Sequence, residues 1–202
     1  MVDVAQNLYC PFCDYPKIVF DGKTCFSCRR TKSLQGLFFA ASYKDFITKK
    51  LISQFKYPPY IKDVSKNLVS LIINYFHNLD KIPDFHSFFL LPIPLEKRRL
   101  KKRGFNQAEE IAIHLAQFLE KPVLTDVLIK IKPTLDQVGL TKEEREENIK
   151  GAYLCQKPDL AKNRKILLID DIFTTGSTME EAASTLKKSG AREVWGLAVA
   201  RG

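Results

Sequence analysis

The chain has 202 residues, a formal net charge of +9 and five cysteines. This length fits one domain of ordinary size with a small appendage, and a hydrophobic share of 45% is enough for a buried core. The basic excess indicates anionic partners such as phosphates, nucleic acid or a membrane surface, although solubility alone would also account for it. No signal peptide is apparent, and the most apolar run, residues 88–95, is too short to span a bilayer. We therefore expect a cytoplasmic protein with no transmembrane segment, attached to the inner membrane, if at all, only peripherally or through a partner.

Four of the cysteines form two C-x-x-C pairs near the N-terminus: Cys10, Cys13, Cys25 and Cys28. Two such pairs at short separation place four thiolates around one tetrahedral Zn²⁺. Disulfides are the alternative, but a reducing compartment disfavours them, and a redox motif would be a single C-x-x-C after a strand. Because four thiolates leave no open coordination position, the Zn²⁺ would be structural, in a zinc finger over residues 1–35. Three basic residues follow the fourth cysteine, Arg29, Arg30 and Lys32. The finger could therefore contact nucleic acid, or it could serve only as a scaffold.

The second predicted domain spans residues 36–202 and begins with a strand at 37–43. Two helical patterns follow, at 44–55 and 61–75, and a pair of prolines separates them. We expect these helices to be packing elements, and residues 36–80 are a candidate for a hood over the ligand site.

A strand at 87–94 leads into a basic loop, and a helix with its core face at 108–118 comes next. In an α/β sheet, a loop after the carboxyl end of a strand lies where ligands bind. The arginines offer forked donors to a pyrophosphate, and the same cluster would suit the phosphates of nucleic acid. A solvated turn is the remaining alternative. The residues concerned are Lys97, Arg98, Arg99 and Arg103.

Two further strands are predicted at 123–131 and 151–155. The connection between them, residues 132–150, is polar and crowded with charges, which is typical of a mobile loop or of a short exposed helix. Cys155 stands alone and is expected to be a buried packing residue.

The most informative stretch is ILLIDDIFTTGST, residues 166–178. Its four apolar residues predict a strand buried on both faces, which ends in Asp170 and Asp171. A loop of small residues then opens a helix, and the backbone N–H groups there form an anion pocket: Thr174, Thr175, Gly176, Ser177 and Thr178. The two acids suit vicinal hydroxyls or Mg²⁺. The pattern thus indicates a site for a 5-phosphorylated sugar, whose phosphate binds in the loop and whose diol binds to the acids. The alternative is an ordinary strand–turn–helix with a capped helix and no ligand.

The last elements are a helix at 177–188, capped by Gly190, and a strand at 193–200. The order of elements predicts an α/β fold, a Rossmann-like parallel sheet with a crossover helix after each early strand.

Residues 166–178 resemble the phosphoribosyl pyrophosphate (PRPP) motif of type I phosphoribosyltransferases. The resemblance implies that Asp170 and Asp171 hold the ribose hydroxyls and Mg²⁺, that the small-residue loop holds the 5-phosphate, and that the basic loop holds the pyrophosphate. It also implies a flexible loop that closes over the sugar, with Gln137 and Arg145 on it. The purine-salvage enzymes of that group place a carboxylate base three residues after the second acid. Thr174 stands there in this chain, so salvage of a nucleobase is not expected.

Three features together resemble the ComF-type competence proteins, ComFC and its relatives. They are the four-cysteine finger, the stretch from Leu91 to Pro94 with the later Arg103–Ala108, and the run from Gln137 to Tyr153. The resemblance implies a role in natural transformation, in which single-stranded DNA is handled at the cytoplasmic side of the membrane, with a DNA-uptake helicase or an inner-membrane channel as partner.

Three functions remain open on the sequence. The first is a PRPP-binding DNA-uptake protein, with or without transferase activity on an unknown acceptor. The second is a regulatory sensor, in which PRPP or a nucleotide controls binding to DNA or to a helicase. The third is a zinc-finger nucleic-acid binder whose sugar-phosphate pocket is vestigial.

Overall fold

A four-stranded parallel sheet forms the centre of the computed structural model, which describes residues 9–13, 22–79, 85–135 and 141–202. In the order in which they lie side by side, its strands are β1 (Leu37–Ser42), β6 (Glu193–Arg201), β5 (Lys165–Phe173) and β2 (Phe88–Pro92). Two short antiparallel strands lie outside this sheet, β3 (Leu128–Lys130) and β4 (Tyr153–Cys155).

Helices of very different length connect the strands. Within the described ranges they are α1 (Phe26–Arg29), α2 (Phe46–Lys56), α3 (Val64–His77), α4 (Lys97–Arg103), α5 (Gln107–Leu119), α6 (Lys142–Ile149), α7 (Pro158–Ala161) and α8 (Ser177–Lys188). None of the helices in these ranges combines the length and the apolar character that a bilayer crossing requires.

The sheet is covered on both faces. One face packs against α2, α3 and α5, and the other packs against α8 and the β3–β4 pair. In β5, Leu167 and Ile169 belong to the first layer, while Ile166 and Leu168 belong to the second. Because both faces are buried, residues 166–169 of this strand form a continuous apolar run without polar alternation. The predicted Rossmann-like parallel sheet is confirmed.

The central strand does not end at the two acids as predicted but continues to Phe173. β6 pairs with it as far as Phe173, so the extension keeps hydrogen-bond partners on that side. The pairing of β2 with β5 stops at Pro92 and Ile169. One edge of β5 is therefore open from Asp170 onward, and a ligand-sized cavity lies beside that edge.

The predicted basic loop is a helix, α4, and the prediction of a loop was wrong. Lys and Arg are good helix formers, so a run of them needs no apolar period to form one short helix. Gly104 ends it in the left-handed conformation at φ 85°, with its N–H donating to the carbonyl of Leu100.

The predicted strand at 123–131 was also too long. Val123 makes only an isolated bridge to Leu90, after which the chain leaves the sheet and pairs residues 128–130 with β4. In the connection that follows, residues 142–149 form the short exposed helix α6, one of the two alternatives considered. Its start is fixed by a reciprocal capping box between Thr141 and Glu144.

Candidate functional site

A cavity of about 290 Å³ opens at the carboxyl end of β2, beside the open edge of β5. This is the position at which parallel α/β sheets bind ligands. Five cationic and two anionic side chains line it: Lys56, Arg99, Arg103, Lys130, Arg145, Asp170 and Asp171. The excess of positive charge suits a ligand that carries several negative charges.

The two acids lie in different surroundings, because adjacent residues of a strand point to opposite faces. Asp171 is on the side of α2, is only 4% exposed, and has its Oδ1 atom 3.0 Å from Lys56 Nζ. Asp170 is on the side of β4, where its charge adds to the effect of burial and raises the pKa of Tyr153.

Their titration differs accordingly. Burial, together with the neighbouring charge of Asp171, raises the pKa of Asp170 to about 7. Its Oδ1 atom accepts a hydrogen bond from the backbone N–H of Asp171 at 2.8 Å. Burial lowers the pKa of Lys56, but the charges of Asp171 and Asp170 outweigh burial, so the pKa of Lys56 is raised and the side chain remains an ammonium ion.

The small-residue loop predicted to bind an anion is a tight turn at the start of α8. Gly176 has φ 81°, and a Cβ atom added there would lie 2.5 Å from the ring of Phe173 and 3.0 Å from that of Phe12. Both the backbone angle and the packing therefore require glycine. Thr175 Oγ1 and Ser177 Oγ lie 2.8 Å apart at the start of α8, the end of the helix toward which its backbone N–H groups point. Thr174 and Thr178 line the cavity beside β5, whereas Thr175, Gly176 and Ser177 line a neighbouring cavity.

The predicted basic cluster is divided by its helix. Arg99 and Arg103, one turn apart, line the cavity, whereas Lys97 and Arg98 are exposed on the outer side of α4. Burial lowers the pKa of Arg103. Only half of the predicted pyrophosphate residues therefore reach the cavity, because a helix separates the side chains that a loop would have allowed to converge.

Two further cations of the cavity were not identified from the sequence as site residues. Lys130, at the end of β3, donates to Thr134 Oγ1 at 2.7 Å, and Arg99 donates to the carbonyl of the same threonine at 3.1 Å. Burial and the nearby charge of Arg99 lower the pKa of Lys130. Lys56, the last residue of α2, is the second of these cations. Neither lysine belongs to a local motif, and only long-range packing brings them to the acids.

Of the two predicted lid residues, one lies at the site. Arg145 extends from α6 and its Nη1 atom donates to Thr174 Oγ1 at 3.3 Å. Gln137 lies outside the described residues.

The four N-terminal cysteines converge as predicted. Their sulfur atoms all lie within 4.8 Å of one another, and those of Cys13 and Cys25 are 3.4 Å apart. Zinc–sulfur bonds of about 2.3 Å in a tetrahedron need sulfur atoms about 3.8 Å apart, so the set fits Zn²⁺. Burial raises the pKa of Cys28 to about 11, so its thiolate form needs a bound cation at neutral pH. Cys155 is far along the chain and buried in the core, as expected.

The cysteine cluster is packed against the anion loop. The ring of Phe12 contacts that of Phe173 edge to face, with centroids 5.9 Å apart, and it also faces Gly176. After Cys28, the last cysteine of the cluster, the backbone N–H groups of Ser33 and Leu34 donate to the carboxylate of Glu180 in α8. The boundary predicted at residue 35 remains a prediction.

Magnesium does not fit the acid pair as these side chains lie. Mg²⁺ requires a nearly octahedral shell of oxygen atoms at about 2.0–2.1 Å. The ammonium group of Lys56 already occupies one oxygen of Asp171, and a backbone N–H occupies one oxygen of Asp170. An ion held by both acids would be confined to their remaining oxygens and would lie close to this ammonium group.

The chain is similar to known proteins over most of its length. Residues 100–200 match the family described as phosphoribosyl transferase domain. Competence protein ComFC of Bacillus subtilis is 30% identical over 189 residues, which cover 90% of this chain and 72% of that protein. Competence protein F of Haemophilus influenzae is 38% identical over 112 residues, which cover 54% of this chain and 49% of that protein.

A third relative carries a different name. DNA utilization protein YhgH of Escherichia coli is 32% identical over 108 residues, which cover 52% of this chain and 47% of that protein. The chain thus spans about half the length of this relative and of Competence protein F.

Proposed function

This chain belongs to the phosphoribosyl transferase domain family and, within it, to the ComF/ComFC competence proteins. We therefore propose that it binds PRPP, or a related phosphosugar or nucleotide, in the cavity beside β5. This binding would serve the handling of single-stranded DNA during natural transformation. The observation that carries the proposal is the convergence, in one cavity, of Thr174 and Thr178 from the two ends of the loop, both acids and five cations.

The proposed arrangement follows the chemistry of the walls. The 5-phosphate lies in the loop 174–178, where backbone N–H groups and hydroxyls donate to its oxygens. The ribose hydroxyls lie against Asp170 and Asp171, and the diphosphate lies against Arg99, Arg103 and Lys130. Any Mg²⁺ that accompanies PRPP is held in this arrangement by the oxygens of the diphosphate and not by the acid pair.

Two uses of such a pocket are open to experiment. A transferase would move the phosphoribosyl group to an unknown acceptor and release pyrophosphate. A sensor would bind the ligand and change its affinity for DNA or for a helicase without chemistry. The sensor is favoured by Thr174, whose hydroxyl accepts from Arg145 and stands where the purine-salvage enzymes have a titratable carboxylate.

The outer side of α4 is the surface that we propose for single-stranded DNA. Its exposed residues are Lys97, Arg98, Lys101 and Lys102, with Leu100 39% exposed among them. Such a surface would contact phosphates and give salt-dependent affinity. It adjoins the cavity through the same helix, so ligand and DNA would bind to opposite sides of α4. A helicase or an inner-membrane channel as partner, and a position at the cytoplasmic side of the membrane, remain part of this proposal.

A thermal-shift titration of the zinc-loaded chain with PRPP tests the pocket. We expect a rise in melting temperature that grows with the logarithm of ligand concentration, equivalent to about 2.7 kcal/mol at a hundredfold excess over Kd. Asp170→Ala should reduce the shift, and Asp159→Ala, at an exposed acid of α7, should not. A folded protein with no shift would favour the vestigial pocket. Release of pyrophosphate on addition of DNA or cell extract would identify a transferase, and binding without release would support a sensor.

A further inference from the structure

The end of α2 holds Lys56 rigidly at the acid pair. Ile52 and Phe55, on the buried face of this helix, are inaccessible to solvent. The side chain of Gln107 donates to the carbonyl of Phe55 at 3.1 Å, and the N–H of Tyr57 donates to Ser53 at 2.9 Å. The backbone of Lys56 is therefore fixed between two anchored residues, and its ammonium group lies 3.0 Å from Asp171 Oδ1.

The surroundings keep this ammonium charged and in place. The charge of Asp171 faces not only Lys56 but also Arg103, so a second cation lies near the same acid. A divalent ion at the pair would have only the remaining carboxylate oxygens, and it would compete with Lys56 for the charge of an almost fully buried carboxylate. It would also meet repulsion from Lys56 and Arg103 at short range.

We propose that Lys56 takes the place that a divalent cation would have beside the ribose, so that this site binds the phosphoribosyl group without a protein-held Mg²⁺. This inference rests on the proposed function and concerns its cofactor. The ammonium group neutralises Asp171 and orients its free oxygen toward a ligand hydroxyl. Asp170 remains the acid that accepts from the diol. The expected ligand is a phosphorylated ribose whose recognition does not depend on magnesium.

Calorimetric titration with ribose 5-phosphate separates this inference from the proposed function. This probe lacks the diphosphate of PRPP, so its affinity does not report Mg²⁺ bound by the ligand itself. The full zinc-loaded chain is titrated in resin-treated buffer and again with millimolar Mg²⁺; a chelator is avoided because it would remove the zinc. For the unmodified chain we expect the two affinities to agree within about twofold.

The variant Lys56→Met keeps the aliphatic stem and removes the charge. We expect its affinity for ribose 5-phosphate in metal-free buffer to fall by about tenfold or more, with part of the loss recovered when Mg²⁺ is added. Lys56→Arg should behave as the unmodified chain, and Lys49→Ala, at an exposed lysine of the same helix, serves as the matched control. Titration with Mn²⁺ alone, followed by electron paramagnetic resonance, should show binding at the acid pair only in Lys56→Met.

The possible outcomes distinguish failure of this inference from failure of the proposed function. If the unmodified chain binds ribose 5-phosphate only when Mg²⁺ is present, the inference is overturned while the proposed pocket stands. If the unmodified chain binds neither ribose 5-phosphate nor PRPP under either condition, the proposed function fails, and the inference fails with it. If Lys56→Met does not fold, the comparison of the unmodified chain with and without Mg²⁺, and its Mn²⁺ titration, still decide the matter.

Discussion

Asp170 and Asp171 are neighbours in the chain, yet the fold gives them opposite roles. Asp171 is buried against Lys56 and forms an ion pair with it. Asp170, on the other side of the strand, has a pKa raised to about 7 by burial and by the charge of Asp171. A pair of acids in a motif is therefore not a pair of equivalent ligands. The partner on the adjacent helix decides which of them is neutralised by the protein and which is left for a ligand.

The largest expected effect comes from removing the paired acid. Asp171→Asn leaves the ammonium group of Lys56 without its counter-charge, and we expect a loss of about 3 kcal/mol in the free energy of unfolding. Urea denaturation at neutral pH measures it. In the double variant with Lys56→Met most of the loss should be recovered, and equal losses in the single and double variants would show that the ion pair is not the cause.

The loop that follows the acids can be tested by comparing its glycine, Gly176, with Gly151, which precedes β4. Gly176→Ala and Gly151→Ala both place alanine at positive φ, at 81° and 65°, but only the first puts a Cβ atom against aromatic rings. We expect Gly151→Ala to cost about 1 kcal/mol from backbone strain and Gly176→Ala about 2–3 kcal/mol. Thermal unfolding of both variants measures the difference. Equal costs would mean that the rings of Phe173 and Phe12 yield freely.

Asp170→Asn should have the opposite sign from Asp171→Asn. The raised pKa of Asp170 means that the folded protein holds a proton which the unfolded chain releases above about pH 4. The stability linked to that proton is present below pH 4 and is lost as the pH rises toward 7. The variant removes this loss, so we expect a gain of about 2 kcal/mol at pH 8 and none at pH 4. Denaturation curves from pH 4 to 8 test it, and a gain that does not vary with pH would contradict the assignment.

The smallest expected effects concern two adjacent arginines of α4. Arg98 is exposed, whereas Arg99 lines the cavity. Arg98→Ala should weaken single-stranded DNA binding a few fold and reduce its salt slope by roughly 0.7, without a change in PRPP affinity. Arg99→Ala should chiefly reduce PRPP affinity. Fluorescence anisotropy with an oligonucleotide, together with the thermal-shift titration, measures both. If both variants lose both affinities equally, the two surfaces are not separate.

Part of the fold and part of the candidate site could be predicted from the sequence because local patterns encode them. The cysteine pairs, the run from Ile166 to Thr178 and the capped helix α8 are each encoded by neighbouring residues, and the structure places them together. The continuation of β5 through the acids was missed because charged residues ordinarily mark a strand end. Here its pairing with β6 maintains the strand to Phe173.

Contacts between distant segments could not be anticipated. Lys56 precedes Asp171 by 115 positions, and nothing near either residue encodes their ion pair. Lys130 reaches the cavity only because residues 128–130 leave the main sheet to pair with β4. Helix geometry divides the basic cluster between the cavity and the solvent-exposed side of α4. A run of Lys and Arg with one leucine does not reveal that geometry.

The edge-to-face contact between Phe12 and Phe173 has a consequence for any shortened form of this protein. A fragment that begins at residue 36 would retain every side chain that lines the cavity beside β5. It would nevertheless lose the ring that supports Gly176 from outside and the two N–H groups that hold Glu180. Weak phosphate capture by such a fragment would reflect a missing outer wall and not a missing ligand contact.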